Sequence, residues 1–114
     1  MTNDWSNSLS KPDLFEKFKQ QVLKDFELSG LLAEAPLILS NELTHIQQAF
    51  SNAIHTIESK AGNGIQNLLY RIDISEAQIR KMALEYPNKS MHDIMVELMI
   101  KRILQKVVLK DLYS

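Results

Sequence analysis

The chain has no cysteine, only three glycines and three prolines, and no long uninterrupted apolar run among its 114 residues. Without cysteine, disulfides, thiolate metal sites and a cysteine nucleophile are excluded, and a reducing compartment fits. No window approaches the roughly 18 to 20 consecutive apolar residues of a membrane span. The N-terminus shows no basic start followed by an apolar run, which a secretory signal would need. We therefore expect a cytoplasmic protein that does not enter a membrane.

An excess of charge of one sign is also lacking. Residues 1–60 carry five Lys against eight Asp and Glu, and residues 61–114 carry eight Lys and Arg against six Asp and Glu. A duplex-binding domain usually has a much stronger basic stripe. The 45% apolar and 24% charged residues are ordinary for a globular chain, and the length fits one domain with its own core. We predict an N-terminal arm, residues 1–10, and a single helical domain, residues 11–114.

The glycines and prolines all lie between segments of apolar periodicity, and they divide the chain into helices because they are the strongest punctuators of regular structure. The predicted helices cover about 12–28, 41–59, 65–74, 76–86 and 91–112, with an irregular connector at 31–39. Ser10 is the expected cap of the first helix, and capping boxes begin at Ser75 and Ser90. Residues 69–74 also fit an alternating strand, but the sequence offers no second strand to pair with it. The fold class is therefore all-α, a compact bundle of four to five helices.

The longest segment without glycine or proline runs from Met91 to Leu112 and is apolar around most of its circumference. Such a helix belongs in the middle of a bundle or at an interface between chains. One of its i, i+4 rows contains Met91, Met95, Met99, Ile103 and Val107. Methionine fills irregular core space and also forms adaptable docking surfaces, so this row is either core or interface. We predict a long central C-terminal helix with the methionine row as its candidate interface.

This apolar helix carries the functional prediction. We expect a non-enzymatic helical interaction or assembly module that forms a homodimer, or binds a protein partner, by burying part of the last helix. We expect no catalytic residues and no cofactor, because the sequence contains no phosphate-binding glycine loop, no Walker pattern and no serine elbow.

A first alternative is a small-ligand-binding protein or an enzyme with a pocket between helices. Its candidate residues are Tyr70, Arg71 and Asp73, the densest polar group beside apolar residues, with His45 as a further candidate. The plainer interpretation is an Arg71–Asp73 ion pair that tethers the turn before Ser75.

Metal binding receives little support from the sequence. Glu42 and His45 have the three-residue spacing of carboxylate-bridged di-metal bundles, but such a site needs a second copy and two further glutamates. The reversed pair, His55 and Glu58, does not complete the set, because His45 and His55 lie about 80° apart around a helix and some 15 Å along it. We interpret these residues as surface polar groups and expect no metal site.

A second alternative is a DNA-associated regulator, because residues 75–99 resemble a degenerate helix-turn-helix in layout. A recognition helix presents polar or basic residues near its start. Here the start reads Met91, His92, Asp93, Ile94 and Met95. Phosphates would repel this acidic, methionine-rich face, so nucleic acid is not the expected partner. Asp93 more simply complements the helix N-terminus than orients His92 for catalysis.

Overall fold

The computed structural model describes the backbone of residues 4–113 and the side chains of residues 7–112. Within that range the chain forms six α-helices, one short 3-10 helix at Leu32–Glu34, and no strand. The helices are α1 (Asp4–Leu9), α2 (Pro12–Leu28), α3 (Leu43–Glu58), α4 (Gly64–Ile72), α5 (Glu76–Glu85) and α6 (Met91–Tyr113). The all-α prediction is confirmed, and residues 64–72 are helix where the sequence also allowed a strand. Among these helices, none has both the length and the apolar character needed to cross a membrane.

Local sequence signals set several helix ends. Pro12 occupies the first turn of α2, and Gly30 follows the helix with φ 76°, a left-handed conformation that glycine adopts without strain. The capping box before α5 is formed: the Gln78 N–H donates to Ser75 Oγ, and the Ser75 N–H donates to Gln78 Oε1. The prediction that Ser10 caps α2 is wrong. Its hydroxyl donates to the Asn7 carbonyl at the end of α1 instead.

Helix α1 lies inside the segment that we expect to be an arm. Leu9 has no exposed surface and belongs to the core, and its carbonyl accepts a hydrogen bond from Asn41 Nδ2 at 3.2 Å. A helix of six residues is not stable alone, so α1 depends on packing against α2. Local sequence does not reveal such long-range support. Residues 1–3 of the predicted arm lie outside the described residues.

Helix α6 is the centre of the bundle, as predicted, and packs against α2, α3, α4 and α5. Its wide apolar surface is explained by these four neighbours, because no single neighbour could cover it. The two ends meet different partners: His92 contacts Ser51 of α3, whereas Lys106 contacts Asp25 of α2 and the Arg71 carbonyl of α4. The buried side chains of α6 are Ile94, Met95, Val96, Met99, Ile100, Ile103, Leu104 and Val107.

Three phenylalanines form the aromatic part of the core. The ring of Phe50 on α3 lies 6.4 Å from that of Phe18 and 6.3 Å from that of Phe26, both on α2. All three side chains have no exposed surface. Such tilted and edge-on pairs add to the stabilisation that comes from burying the rings. Phe50 therefore joins α3 to two positions of α2 that are two turns apart.

A polar network fixes α2 against the C-terminal half of α6. The Asp25 carboxylate is 2% exposed, accepts from Lys106 Nζ at 3.0 Å and accepts from Gln21 Nε2 at 3.0 Å. Lys110 Nζ donates to Gln21 Oε1 at 3.0 Å. Further out, Lys17 pairs with Asp111, and this carboxylate raises the pKa of Lys17 above its ordinary value. The three lysine contacts each join α2 to α6, so the network sets the register of the two helices.

Candidate functional site

The methionine row is mostly core in the single chain. Met95, Met99, Ile103 and Val107 are each at most 6% exposed and lie among the helices that surround α6. Met91, at the start of the helix, is 53% exposed. Of the two interpretations that the sequence left open, core holds for four of these residues. Within the row, only Met91 has enough exposed surface for a partner to contact.

The predicted ligand-binding residues do not form one group. Tyr70 is 84% exposed and, with Arg71, borders a shallow hollow beside Leu28 and Ser29 at the end of α2. Asp73 is the C-cap residue of α4 and has a left-handed backbone conformation. Its side chain therefore leaves the helix in a different direction from those of Tyr70 and Arg71. Its carboxylate accepts from Arg102 Nη2 at 3.1 Å. The expected Arg71–Asp73 pair is thus replaced by a contact between Asp73 and α6.

His45 makes a structural hydrogen bond to the connector before α3. Its Nε2 accepts a hydrogen bond from the Leu39 N–H at 3.0 Å, which holds the segment before α3 against the first turn of that helix. Glu42, its predicted metal-binding neighbour, is the exposed N-cap residue of α3. Among the side chains of residues 7–112, no second carboxylate–histidine pair joins Glu42 and His45 in the di-metal arrangement that their spacing resembles.

The connector between α2 and α3 has neither helix nor strand from Pro36 to Leu39, and the exposure of its side chains alternates along the chain. Pro36 is buried and Ile38 packs against the core, whereas Leu37 and Leu39 point outward and are 72% and 74% exposed. An open groove of about 410 Å³ separates the connector from α3. We define the connector surface as these two leucines and the small residues that line the groove: Ala33, Ala35, Ala49 and Ala53.

A second arrangement, the histidine cluster, consists of His55, Glu58 and His92. The rings of His55 and His92 stack with centroids 3.9 Å apart and planes 18° apart. His92 Nδ1 lies 3.5 Å from Glu58 Oε1. One nitrogen of each imidazole and one oxygen of the carboxylate lie within 4.8 Å of one another. The cluster therefore gathers three side chains that can each bind a proton or a metal ion.

Helix geometry explains how the cluster forms. His55 and Glu58 are three residues apart in the last turn of α3 and share a face. Ser90 caps α6, because its Oγ accepts from the Asp93 N–H at 3.0 Å, and the cap places His92 in the first turn. The Ser51 hydroxyl, one turn before His55, lies 2.8 Å from His92 Nε2. The packing of α6 on α3 then brings the two imidazoles together.

Comparison of the chain with protein-family models, with curated proteins and with solved structures found no match. Function is therefore inferred from the chain's own surfaces. The connector surface offers apolar contact to a macromolecule. The histidine cluster offers ligand atoms to a cation, and sequence analysis identified its residues separately without indicating that they meet.

Proposed function

We propose that the protein is a non-enzymatic helical interaction module that forms a homodimer through its connector surface. The observation that carries this proposal is the pair Leu37 and Leu39, each more than 70% exposed on a groove that four alanines line together with polar side chains of α3. Single exposed leucines are ordinary on protein surfaces, whereas a contiguous apolar patch is typical of an interaction site. The two exposed leucines and the alanines of the adjoining groove form such a patch.

A second copy of the chain is the occupant that fits this surface best. The connector surface combines two largely exposed leucines, Leu37 and Leu39, with the hollow that they border, and alanines line part of that hollow. A two-fold axis places the same patch of both copies face to face, so the leucines of each copy can enter the groove of the other. Each leucine that becomes fully buried contributes about 1.5–3 kcal/mol. Because one copy carries both the leucines and the groove that could receive them, a second copy of the chain is sufficient to cover this surface.

The charge of the groove also favours self-association. Of the described residues that line it, Glu34 is the one with a full charge, and Lys60 Nζ lies 3.3 Å from its carboxylate. Like charges that face each other across an interface would cost several kcal/mol. Two copies meeting at this near-neutral face avoid that cost.

The contact we propose is made by side chains and not by pairing of strands. Pro36 has no N–H, and the N–H of Leu39 is already donated to His45. A strand added from a second chain would need the backbone N–H groups of this short segment as hydrogen-bond donors. Residue 36 has no such group, and that of residue 39 is already in use. The interface depends on how deeply the leucines enter the groove, which makes it sensitive to their removal.

Sedimentation equilibrium across a wide range of protein concentration tests this proposal. We expect the wild-type chain to dimerise at high micromolar concentration. The double variant Leu37→Ser, Leu39→Ser should raise the dimer dissociation constant at least tenfold, since about 1.4 kcal/mol of lost contact is enough for that change. Both leucines are largely exposed in the single chain, so helix content by circular dichroism should stay unchanged.

Two matched controls separate the connector surface from other apolar positions. Leu84→Ser on α5 removes a leucine that is 84% exposed, and Met91→Ser removes the exposed end of the methionine row. Both variants should dimerise like the wild type. A wild-type chain that stays monomeric at every concentration contradicts the proposal. So does a dimer that Met91→Ser dissociates and the connector variant does not.

A further inference from the structure

The histidine cluster contains an unsatisfied buried nitrogen. His92 is 16% exposed, and its Nδ1 is buried without a hydrogen-bond partner while its Nε2 lies 2.8 Å from the Ser51 hydroxyl. When Nε2 carries the proton and donates it to Ser51, the Nδ1 lone pair faces Glu58 Oε1 at 3.5 Å. In that tautomer the buried Nδ1 faces a second acceptor and has no donor, whereas the exposed Glu58 carboxylate can also reach water. A buried nitrogen is rarely left without a partner, and a cation between Nδ1 and the carboxylate would satisfy it.

We propose that His55, Glu58 and His92 bind a divalent transition-metal ion, with Zn²⁺ the best match. Two imidazole nitrogens and one carboxylate oxygen, with water in a fourth position, form a common zinc-binding set. His55 supplies the third donor, since its ligand atom lies within 4.8 Å of the other two. With the metal on Nδ1, His92 Nε2 carries the proton and donates it to the Ser51 hydroxyl 2.8 Å away, and such a second hydrogen bond orients a metal-binding imidazole.

Metal binding requires one change of geometry. A tetrahedral zinc site with Zn–N distances of about 2.0–2.1 Å places its ligand atoms about 3.4 Å apart. Each imidazole lone pair lies in its ring plane, so two stacked rings at 18° cannot both point at one ion. His55 is exposed and can rotate out of the stack, whereas Ser51 keeps His92 in place. We therefore expect His55 to move and His92 to stay when the ion binds.

The position of the cluster indicates what the ion would do. Glu58 is the last residue of α3, where the helix carbonyls carry a partial negative charge that favours a cation. The N-terminus of α6 carries a partial positive charge that would repel a cation. The negative charge of the Glu58 carboxylate offsets that repulsion. His55 and Glu58 are both exposed, so the fourth position opens to solvent. The ion would link the end of α3 to the start of α6 and stabilise the folded state.

Isothermal titration of the metal-free chain with ZnCl₂ is the direct test. We expect one zinc ion per chain and at least tenfold weaker binding in His55→Ala and in Glu58→Gln. Both replaced side chains are exposed, so the variants should fold. Excess zinc at about a hundred times the dissociation constant should raise the melting temperature of the wild type by about 5 °C or more. Long-range ¹H–¹⁵N spectra should show His92 bound through Nδ1.

The chain supplies its own control, because His45 is the one histidine outside the cluster. His45→Gln should bind zinc as tightly as the wild type, and Ser51→Ala should bind about 10–100-fold less tightly. The variant Leu37→Ser, Leu39→Ser should bind like the wild type, which separates the metal site from dimerisation. Absence of binding at millimolar zinc, equal loss in His45→Gln, or one ion per two chains would each overturn the proposal.

Discussion

Replacing Phe50 by alanine is expected to lower the free energy of unfolding by about 3–5 kcal/mol. The ring has no exposed surface and contacts the rings of Phe18 and Phe26, so its removal leaves a cavity between α2 and α3 that rigid helices close only in part. Domains of this size are stable by about 5–15 kcal/mol, so the loss is a large share of the total. Urea unfolding followed by circular dichroism measures it.

Leu84→Ala is the matched control for Phe50→Ala. Leu84 is apolar but 84% exposed, so its truncation should change the free energy of unfolding by less than about 0.5 kcal/mol. The slope of the free energy against urea should remain that of the wild type in both variants. If Phe50→Ala costs no more than Leu84→Ala, the aromatic contact between α2 and α3 is not as described.

Replacing Lys106 by methionine is expected to cost about 3 kcal/mol, the lower end of the range for breaking a buried ion pair. Methionine keeps most of the side-chain volume but leaves the Asp25 carboxylate, 2% exposed, without its cation. Gln21 Nε2 still donates to Asp25, and the Lys106 side chain is 19% exposed in the wild type. Both facts place the cost at the lower end. The same urea titration measures this loss.

The double variant Asp25→Leu, Lys106→Met separates the charge from the packing. Replacing both members of a buried pair by apolar residues is often nearly neutral, because no charge is left buried alone. The double variant should therefore be more stable than Lys106→Met, and the single variant Asp25→Leu completes the cycle that gives the coupling between the two sites. If both variants lose the same free energy of unfolding, then leaving the Asp25 carboxylate without its cation costs nothing. That result would contradict the burial of the carboxylate.

The extent of the helices was largely predictable, because local chemistry determines it. The prediction for α2 matches at both ends, and α6 extends one residue beyond its predicted end. The signals that end these helices act within a few residues of the helix end: Pro12, Gly30 and the capping box at Ser75. Such signals can be recognised in a single sequence. Helix α1 was missed for the opposite reason: six residues need α2 beside them, and no local pattern records that contact.

The central position of α6 was also predictable, since apolar residues on most of its circumference require several neighbours. The same pattern could not separate core from interface for the methionine row. That choice depends on whether α2, α3, α4 and α5 together cover the helix, and periodicity within α6 does not say how many neighbours surround it. In the structure they cover Met95 and Met99 and leave Met91 half exposed.

The histidine cluster shows what sequence reasoning lacked. His55 and Glu58 were visible as an i, i+3 pair, and His92 as a residue of a capped first turn, but 37 positions separate the two histidines. Their meeting depends on where α6 crosses α3, which is a property of the packed bundle. The connector surface depends on packing as well, because burial of Pro36 and Ile38 is what directs Leu37 and Leu39 outward.

The central claim is that α6 is buried within a single chain and that association uses another surface. Native-state hydrogen exchange tests it most directly. We predict that the amides of residues 94–107 exchange more slowly than those of the other helices. Their rates should be the same in dilute and concentrated samples and in the variant Leu37→Ser, Leu39→Ser. Rapid exchange of α6 in the dilute chain, with protection that appears only on association, would contradict the account.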